Sequence, residues 1–217
     1  MIQFETPKGY KMTENRWFVE QEQAEVLEEL ENRLNISFQF QDITKFNLIN
    51  GIQVSGKNII GLRVIGLKKF PELICKLTSL EKLYLEMNKF SSLPPDLGNL
   101  VSLVILNLTG NELHTLPTSF KSLRYLKRLY LGKNKFSIVP ECLIHLESLA
   151  ILYFDSNRLT SIPEWIGFHN NLQYINFNGN PLTFTPQKIG KLQRFNEMLP
   201  HLNGIGPYAE YVRSSSE

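Results

Sequence analysis

Gly51-Ile-Gln-Val-Ser-Gly56-Lys57-Asn58 carries the glycine and lysine spacing of a loop that cradles nucleotide phosphates. That chemistry also needs a serine or threonine hydroxyl after the lysine and a helix N-terminus aimed at the phosphates. Asn58 stands where the hydroxyl belongs and the β-like run Ile59 to Val64 follows, which reads as a hairpin strand and a turn. Spacings for a zinc protease, a dithiol and a serine hydrolase (HExxH, CxxC, GxSxG) do not occur. Cys75 and Cys142 are isolated thiols suited to a small apolar filler role. His169 has no acidic, cysteine or histidine partner at its place in the pattern below, so a structural role is expected of it. No catalytic residue, metal ligand or cofactor site is assigned. An enzyme would need a site of unrecognised type in the terminal segments.

The pattern that dominates the chain is one of recognition rather than reaction. Leu80-Glu-Lys-Leu83-Tyr-Leu85-Glu-Met-Asn88 returns every 23 residues, as Leu103 to Asn111, Leu126 to Asn134, Leu149 to Asn157 and Leu172 to Asn180, without insertion or deletion. Six frames of 23 residues fit from Lys57 to Arg194, each with a proline at one phase: Pro71, Pro94, Pro117, Pro140, Pro163 and Pro186. A proline fixes φ and lacks an N–H, so these six mark the bend that begins the outer return. An apolar pair spaced by three follows, from Ile74 and Leu77 to Ile189 and Leu192, broken only where Ile166 meets His169; this suits a short helix or 3-10 turn. One such unit cannot shield its own apolar side. Stacking does so, each buried leucine or phenylalanine contributing roughly 1.5–3 kcal/mol before chain entropy is subtracted. The Leu83 and Leu85 positions then point inward, and Asn88, Asn111, Asn134, Asn157 and Asn180 satisfy backbone groups at the bend after each strand.

With those positions inside, the alternate strand residues must face the open side of a curved parallel sheet. They are Ile59 and Gly61, Lys82 and Tyr84, Ile105 and Asn107, Arg128 and Tyr130, Ile151 and Tyr153, Tyr174 and Asn176, with Arg63, Glu86, Met87, Thr109, Lys133, Asp155 and Asn178 just beyond. Tyr, Arg and Met are enriched where proteins meet. An open partner-binding wall is therefore expected, made of Lys82, Tyr84, Glu86, Met87, Ile105, Asn107, Arg128, Tyr130, Lys133, Ile151, Tyr153, Asp155, Tyr174 and Asn176. Arg63, Lys89, Lys135 and Arg158 make the region basic, so nucleic acid is the alternative occupant; Glu86, Glu112 and Asp155 within it favour a protein.

The ends depart from the period. Residues 1–56 read as an N-terminal arm and cap: an amphipathic helix over Glu14 to Leu34 with Trp17, Ala24, Leu27, Leu30 and Leu34 on one side, then strands Ile36 to Phe40 and Phe46 to Ile49. Asn50-Gly51 is expected to turn a hairpin into the returning strand Gly51 to Val54. In the degenerate first frame, Ile60 and Leu62 fall one period before Leu83 and Leu85, and Ile65 takes the asparagine's place. Residues 57–194 are the repeats and 195–217 a C-terminal cap and tail.

The 217 residues, 42% of them hydrophobic, suffice for one sizeable core. A net charge of +2 argues against a dedicated nucleic-acid binder, although residues 14–33 alone carry −5 and form an acidic helix face that a basic partner could also use. No run matches a signal peptide or membrane span, and two cysteines cannot clamp caps with disulfides; these features give a cytoplasmic expectation.

The repeat resembles the leucine-rich repeat family, in its intracellular form LxxLxLxxNxLxxLPxxIGxL, shown best by Leu80 to Leu100 with Leu93-Pro94, Leu97-Gly98 and Leu100. Similar repeats occur in Ras-suppressor-like, Scribble-like and Roco proteins and in prokaryotic relatives. The resemblance implies an α/β solenoid, a horseshoe with a concave parallel sheet and a convex side of short helix or 3-10 turns. It also implies a monomeric, non-catalytic signalling adaptor that holds a protein, in some members a small GTPase or its regulator. The motif consists of scaffold positions, so it transfers no GTPase-binding residue. Cys142 invites comparison with the catalytic cysteine of repeat-bearing bacterial ubiquitin ligases, but no residues remain here for their separate helical domain.

Overall fold

The computed structural model describes residues 17–40 and 50–186. The expected arm, the strand Phe46 to Ile49, the last apolar pair Ile189 and Leu192, and the C-terminal cap lie outside the described residues. One eight-stranded sheet runs through the molecule in chain order, with β1 (Gln39–Phe40), β2 (Gly51–Ser55), β3 (Asn58–Arg63), β4 (Lys82–Tyr84), β5 (Ile105–Asn107), β6 (Arg128–Tyr130), β7 (Ile151–Tyr153) and β8 (Tyr174–Asn176). Only β2 and β3 pair antiparallel. From β4 to β8 each strand is three residues long and pairs exactly one period from the next, so Leu83, Leu106, Leu129, Leu152 and Ile175 form one inward row.

The outer side is five short 3-10 helices: Glu72–Lys76, Pro95–Asn99, Thr118–Ser122, Glu141–His145 and Glu164–Phe168. Each follows one of the phased prolines, whose φ lies between −83° and −61°. The proline carbonyl accepts the first 3-10 bond, from the N–H of Ile74, Leu97, Phe120, Leu143 or Ile166. Those five side chains are buried against the strand leucines, which closes the core between the two layers. His169 sits where the other repeats bury Leu77, Leu100, Leu123 and Leu146; it is half-buried, with both ring nitrogens enclosed. Burial holds its imidazole below the usual value, partly offset by the Leu146 backbone.

The asparagines bridge neighbouring turns. Asn111 donates through Nδ2 to the carbonyls of Leu85 and Leu108, both at 2.9 Å, and accepts from the Phe90 N–H at 3.1 Å. Asn88, Asn134, Asn157 and Asn180 make the equivalent set. Just before each asparagine the chain passes through the left-handed region, at Met87, Gly110, Lys133, Ser156 and Gly179, with φ from 54° to 70°. A non-glycine residue there costs roughly 1–2 kcal/mol. The bend is held because the N–H of Met87, Gly110, Lys133 and Ser156 each donates to the next repeat's backbone at 2.7–3.0 Å.

The N-terminal cap differs from the expectation in two ways. The helix α1 is Gln21–Leu34, and Trp17, though buried, precedes it; Phe18 at φ 55° separates the two. Glu20 donates its N–H to the Lys57 carbonyl and Gln23 accepts from the Ile59 N–H, so the helix start is fixed by the sheet it covers. The turn expected over Ser55 to Asn58 is present and joins β2 to β3, with Gly56 at φ 57°, but no left-handed residue marks the type I′ turn expected at Asn50-Gly51, where β2 pairs in parallel with β1. Asn50 instead accepts from the Ile65 N–H at 3.0 Å.

The register of the first repeat also differs. Leu62 pairs with Leu83 and Val64 donates to the Tyr84 carbonyl, whereas Leu67 donates to Asn88 as Phe90 does to Asn111. Two positions are therefore missing between Val64 and Leu67, and the ladder asparagine goes with them; Ile65 does not replace it. Ile60 is the extra residue of a bulge opposite Gln53 and Val54, which leaves Ile59 in the core and off the concave side.

Asn134→Leu would orphan the Leu108 and Leu131 carbonyls and the Leu113 N–H. At about 1–3 kcal/mol each, a loss of about 3 kcal/mol or more is expected in denaturant unfolding. An unchanged midpoint would contradict the bridging role.

Candidate protein-binding surface

Two rows of side chains lie on the face of the sheet opposite the leucines. Register places Gly61, Lys82, Ile105, Arg128, Ile151 and Tyr174 in one, and Arg63, Tyr84, Asn107, Tyr130, Tyr153 and Asn176 in the other. Arg63 enters the second row, and Gly61 shifts to the first, because of the shortened first repeat.

The second row is not the open wall expected. Tyr84 and Tyr130 are each only 6% exposed, and Asn107 2%, yet neither tyrosine belongs to the leucine core. They are covered by their own neighbours, since strands set about 4.8 Å apart bring ring against ring. The Arg63 guanidinium lies 4.8 Å from the Tyr84 ring centre, and the Tyr130 and Tyr153 rings are 5.3 Å apart at 33°. Burial pushes the Tyr130 hydroxyl up to about 12, so it stays neutral. Asn107 and Asn176 accept from the N–H two residues on, of Thr109 and Asn178, and so serve the chain's own bend.

Beyond the strands, Glu86 is 3% exposed and ion-paired with Arg63, Nε to Oε1, at 3.1 Å. Burial raises its carboxyl above the ordinary value in spite of Arg63. Glu86, an expected contact residue, and Arg63, expected just beyond the strand on the open side, thus form an internal pair. Asp155 is half-buried and raised by burial, with its own backbone and Lys133 opposing. It lies over Gly132, where a Cβ would come within 2.5 Å of its Oδ1. Gly132 is not in the left-handed region, and Glu86, Thr109, Asp155 and Asn178 stand at its phase in other repeats. Its missing side chain makes room for the carboxylate next door.

What remains accessible is the first row and the rim. Arg128, Lys133 and Met87 are exposed; Lys82, Ile105, Ile151, Tyr153, Tyr174, Asp155 and Asn176 are half-buried. Lys82 donates to the Gln53 side chain of the cap. The chemistry is apolar and cationic contact, without a nucleophile or metal cage. No group of three or more His, Cys, Asp or Glu gathers among the described residues. Cys75 and Cys142 are pushed up to about 12 and about 11 by burial, and Gly51–Asn58 is a hairpin with no helix for a phosphate. No described helix is long and apolar enough to cross a membrane.

The family model described as leucine rich repeat matches residues 78–136 and, in an overlapping placement, 102–159. Residues 78–159 match the leucine-rich repeat, and the fold is that of a leucine-rich-repeat solenoid. A leucine-rich repeat protein of Leptospira interrogans is 33% identical with a TM-score of 0.56, over 67% of this chain and 35% of its own length. An internalin of Listeria monocytogenes is 26% identical with a TM-score of 0.51, over 58% of this chain and 36% of its own. The ectodomain of the receptor kinase SOBIR1 from Arabidopsis thaliana shares the fold at 24% identity and a TM-score of 0.56, over 77% of this chain and 97% of its own. The chain thus spans about a third of the Leptospira and Listeria structures. No curated protein matches it in sequence. Leucine-rich repeats commonly serve as protein-interaction scaffolds, and the accessible row has the composition such a scaffold needs.

Gly132→Ala is expected to cost about 1–3 kcal/mol, as overpacking does, and to cost little once Asp155→Ala has emptied the space. Additive losses in a double-mutant cycle would show that the two do not meet. A carboxyl raised in the folded state gives its stabilisation at acid pH and loses it as pH rises through that raised value. Asp155→Asn should therefore gain melting temperature over the natural chain between acid and neutral pH, and a pH-independent gap would refute the burial cost.

Proposed function

We propose that this leucine-rich repeat chain is a non-catalytic adaptor that binds a protein partner on its concave sheet. The observation that carries the reading is the row Lys82, Ile105, Arg128, Ile151 and Tyr174, continuous in register and left accessible by a fold whose core lies on the other face. Isoleucine and tyrosine there do nothing for the leucine core, and accessible apolar groups in a continuous row favour contact with another molecule. Met87, Lys133, Tyr153 and Asp155 extend the row toward the strand ends. Tyr84, Glu86, Asn107 and Tyr130 support it from beneath by fixing their neighbours, a positioning role in place of the direct contact expected from sequence.

The reading takes the chain as a monomer in a signalling assembly, with a small GTPase or its regulator as the partner class that the intracellular form of the repeat suggests. Two free thiols among the described residues suit a reducing compartment, which supports a cytoplasmic setting.

The test is capture of partners from an extract of the source cells by the natural chain and by an Ile105→Ser, Ile151→Ser variant, with melting temperatures matched. Loss of the same partner from the variant, and hydrogen-exchange protection confined to β4 to β8 on binding, is the expected result. A partner held equally by both chains would place the contact elsewhere.

A further inference from the structure

The open face and its rim are not balanced in charge. Arg128, Lys133, Lys89, Lys135 and Arg158 are exposed and Lys82 is half-buried, so among the described residues of this face six cations meet two accessible carboxylates, Glu112 and Asp155. One is ion-paired and the other is partly enclosed. Glu112 is paired with Lys135, and Asp155 is packed over Gly132 beside Lys133. The third acid, Glu86, is enclosed with Arg63. Arg128 and Arg158 have no carboxylate partner among the described residues, and Arg128 stands between Ile105 and Ile151 in the accessible row.

Cationic surface of this kind attracts anions of two classes, and the aromatic rings decide between them. Binding single-stranded nucleic acid without base readout depends on ring faces on which bases stack. Here the Tyr130 and Tyr153 rings pack on each other and the Tyr84 ring is capped by Arg63. Beside the cations stand the aliphatic side chains of Ile105 and Ile151, with the half-buried Tyr174 ring at the end of the row, so a base meets one ring and not a run of them, while the isoleucines suit a leucine, isoleucine or phenylalanine of a protein. From β4 to β7 cation and apolar group alternate from strand to strand at about 4.8 Å.

We propose that the occupant of the concave face is an acidic protein segment whose carboxylates meet Arg128 and the cations of the rim while interleaved apolar side chains rest on Ile105 and Ile151. This rests on the reading of the concave sheet as the binding surface. Carboxylates arriving at Arg128 replace water around a cation that the fold leaves unpaired, and the aliphatic contacts fix register across the strands. The electrostatic part is exposed, so salt must weaken it.

The experiment selects peptides from a random-sequence display library on the immobilised full chain. The selected peptides are expected to be rich in Asp and Glu with interspersed Leu, Ile, Phe or Tyr, and to lose affinity as salt rises. They should bind Arg128→Glu at least about tenfold more weakly. A second charge reversal at the rim, Lys89→Glu with Arg158→Glu, should weaken them too, and it guards against a folding defect in the first variant. The Ile105→Ser, Ile151→Ser variant should also lose them. If the peptides survive both charge reversals but fail on the isoleucine variant, the acidic partner is refuted and the concave surface stands. If they survive all three variants, both readings fall. Recovery of neutral or basic peptides, no enrichment over bare support, or displacement by oligothymidine at concentrations below those of the peptides would each overturn the proposal.

Discussion

A polypeptide that leaves a three-residue strand must expose two carbonyls and an amide at the bend, in a place too crowded for water. The asparagine side chain answers all three, reaching one carbonyl in its own turn and two groups in the turn before. Leucine fills the same volume and would leave the groups unpaired. Because each amide spans two turns, it sets their distance and their order. The strand leucines, the phased prolines and the 3-10 helices then fall into rows without further instruction. Where the left-handed residue before the asparagine is not glycine, at Met87, Lys133 and Ser156, it carries strain that the neighbouring turn's backbone bond offsets.

That arrangement constrains the opposite face as much as the core. Side chains that alternate with the leucines arrive in rows at the strand spacing, whether or not a partner ever meets them. Large rings brought so close pack on each other, as Tyr130 does on Tyr153 and Tyr84 does beneath Arg63. The concave face is therefore layered: an inner row occupied with itself, and an outer row in which isoleucines and a lone arginine are presented. The binding proposed for this face would therefore fall to the outer row, since Tyr84 and Tyr130 of the inner row are already covered by their neighbours.

Most of this architecture was readable from the positions of leucine, asparagine and proline, since a fixed period in sequence becomes a fixed period in space. Which face each strand residue takes was equally readable from β4 onward. Accessibility was not. Tyr130 and Ile151 look alike as outward residues, and only the packing of Tyr153 on the former separates them. The capping end was read wrongly for a local reason: a uniform 23-residue frame aligns Ile60 with Leu83, and the loss of two residues before Leu67 breaks that frame. The missing asparagine signalled the break, and Gly66, at φ 79° in the shortened bend, marks its place. The Asn50-Gly51 pair carried a strong turn signal that parallel pairing of β1 with β2 overrode. Gly132 offered a quieter clue, a glycine at a phase where other repeats carry side chains.

The shortened bend at Gly66 gives the chain a direction of growth. Every unit between Leu67 and Leu182 has the same length, so duplication or loss of a whole unit by unequal recombination would leave the strand leucines and the asparagines in phase. The unit beneath the cap lacks that interchangeability, because its bend matches only the asparagine that follows and the helix that covers it. Lineages of such chains can thus vary the span of the concave face in whole-unit steps while inheriting their amino-terminal block intact.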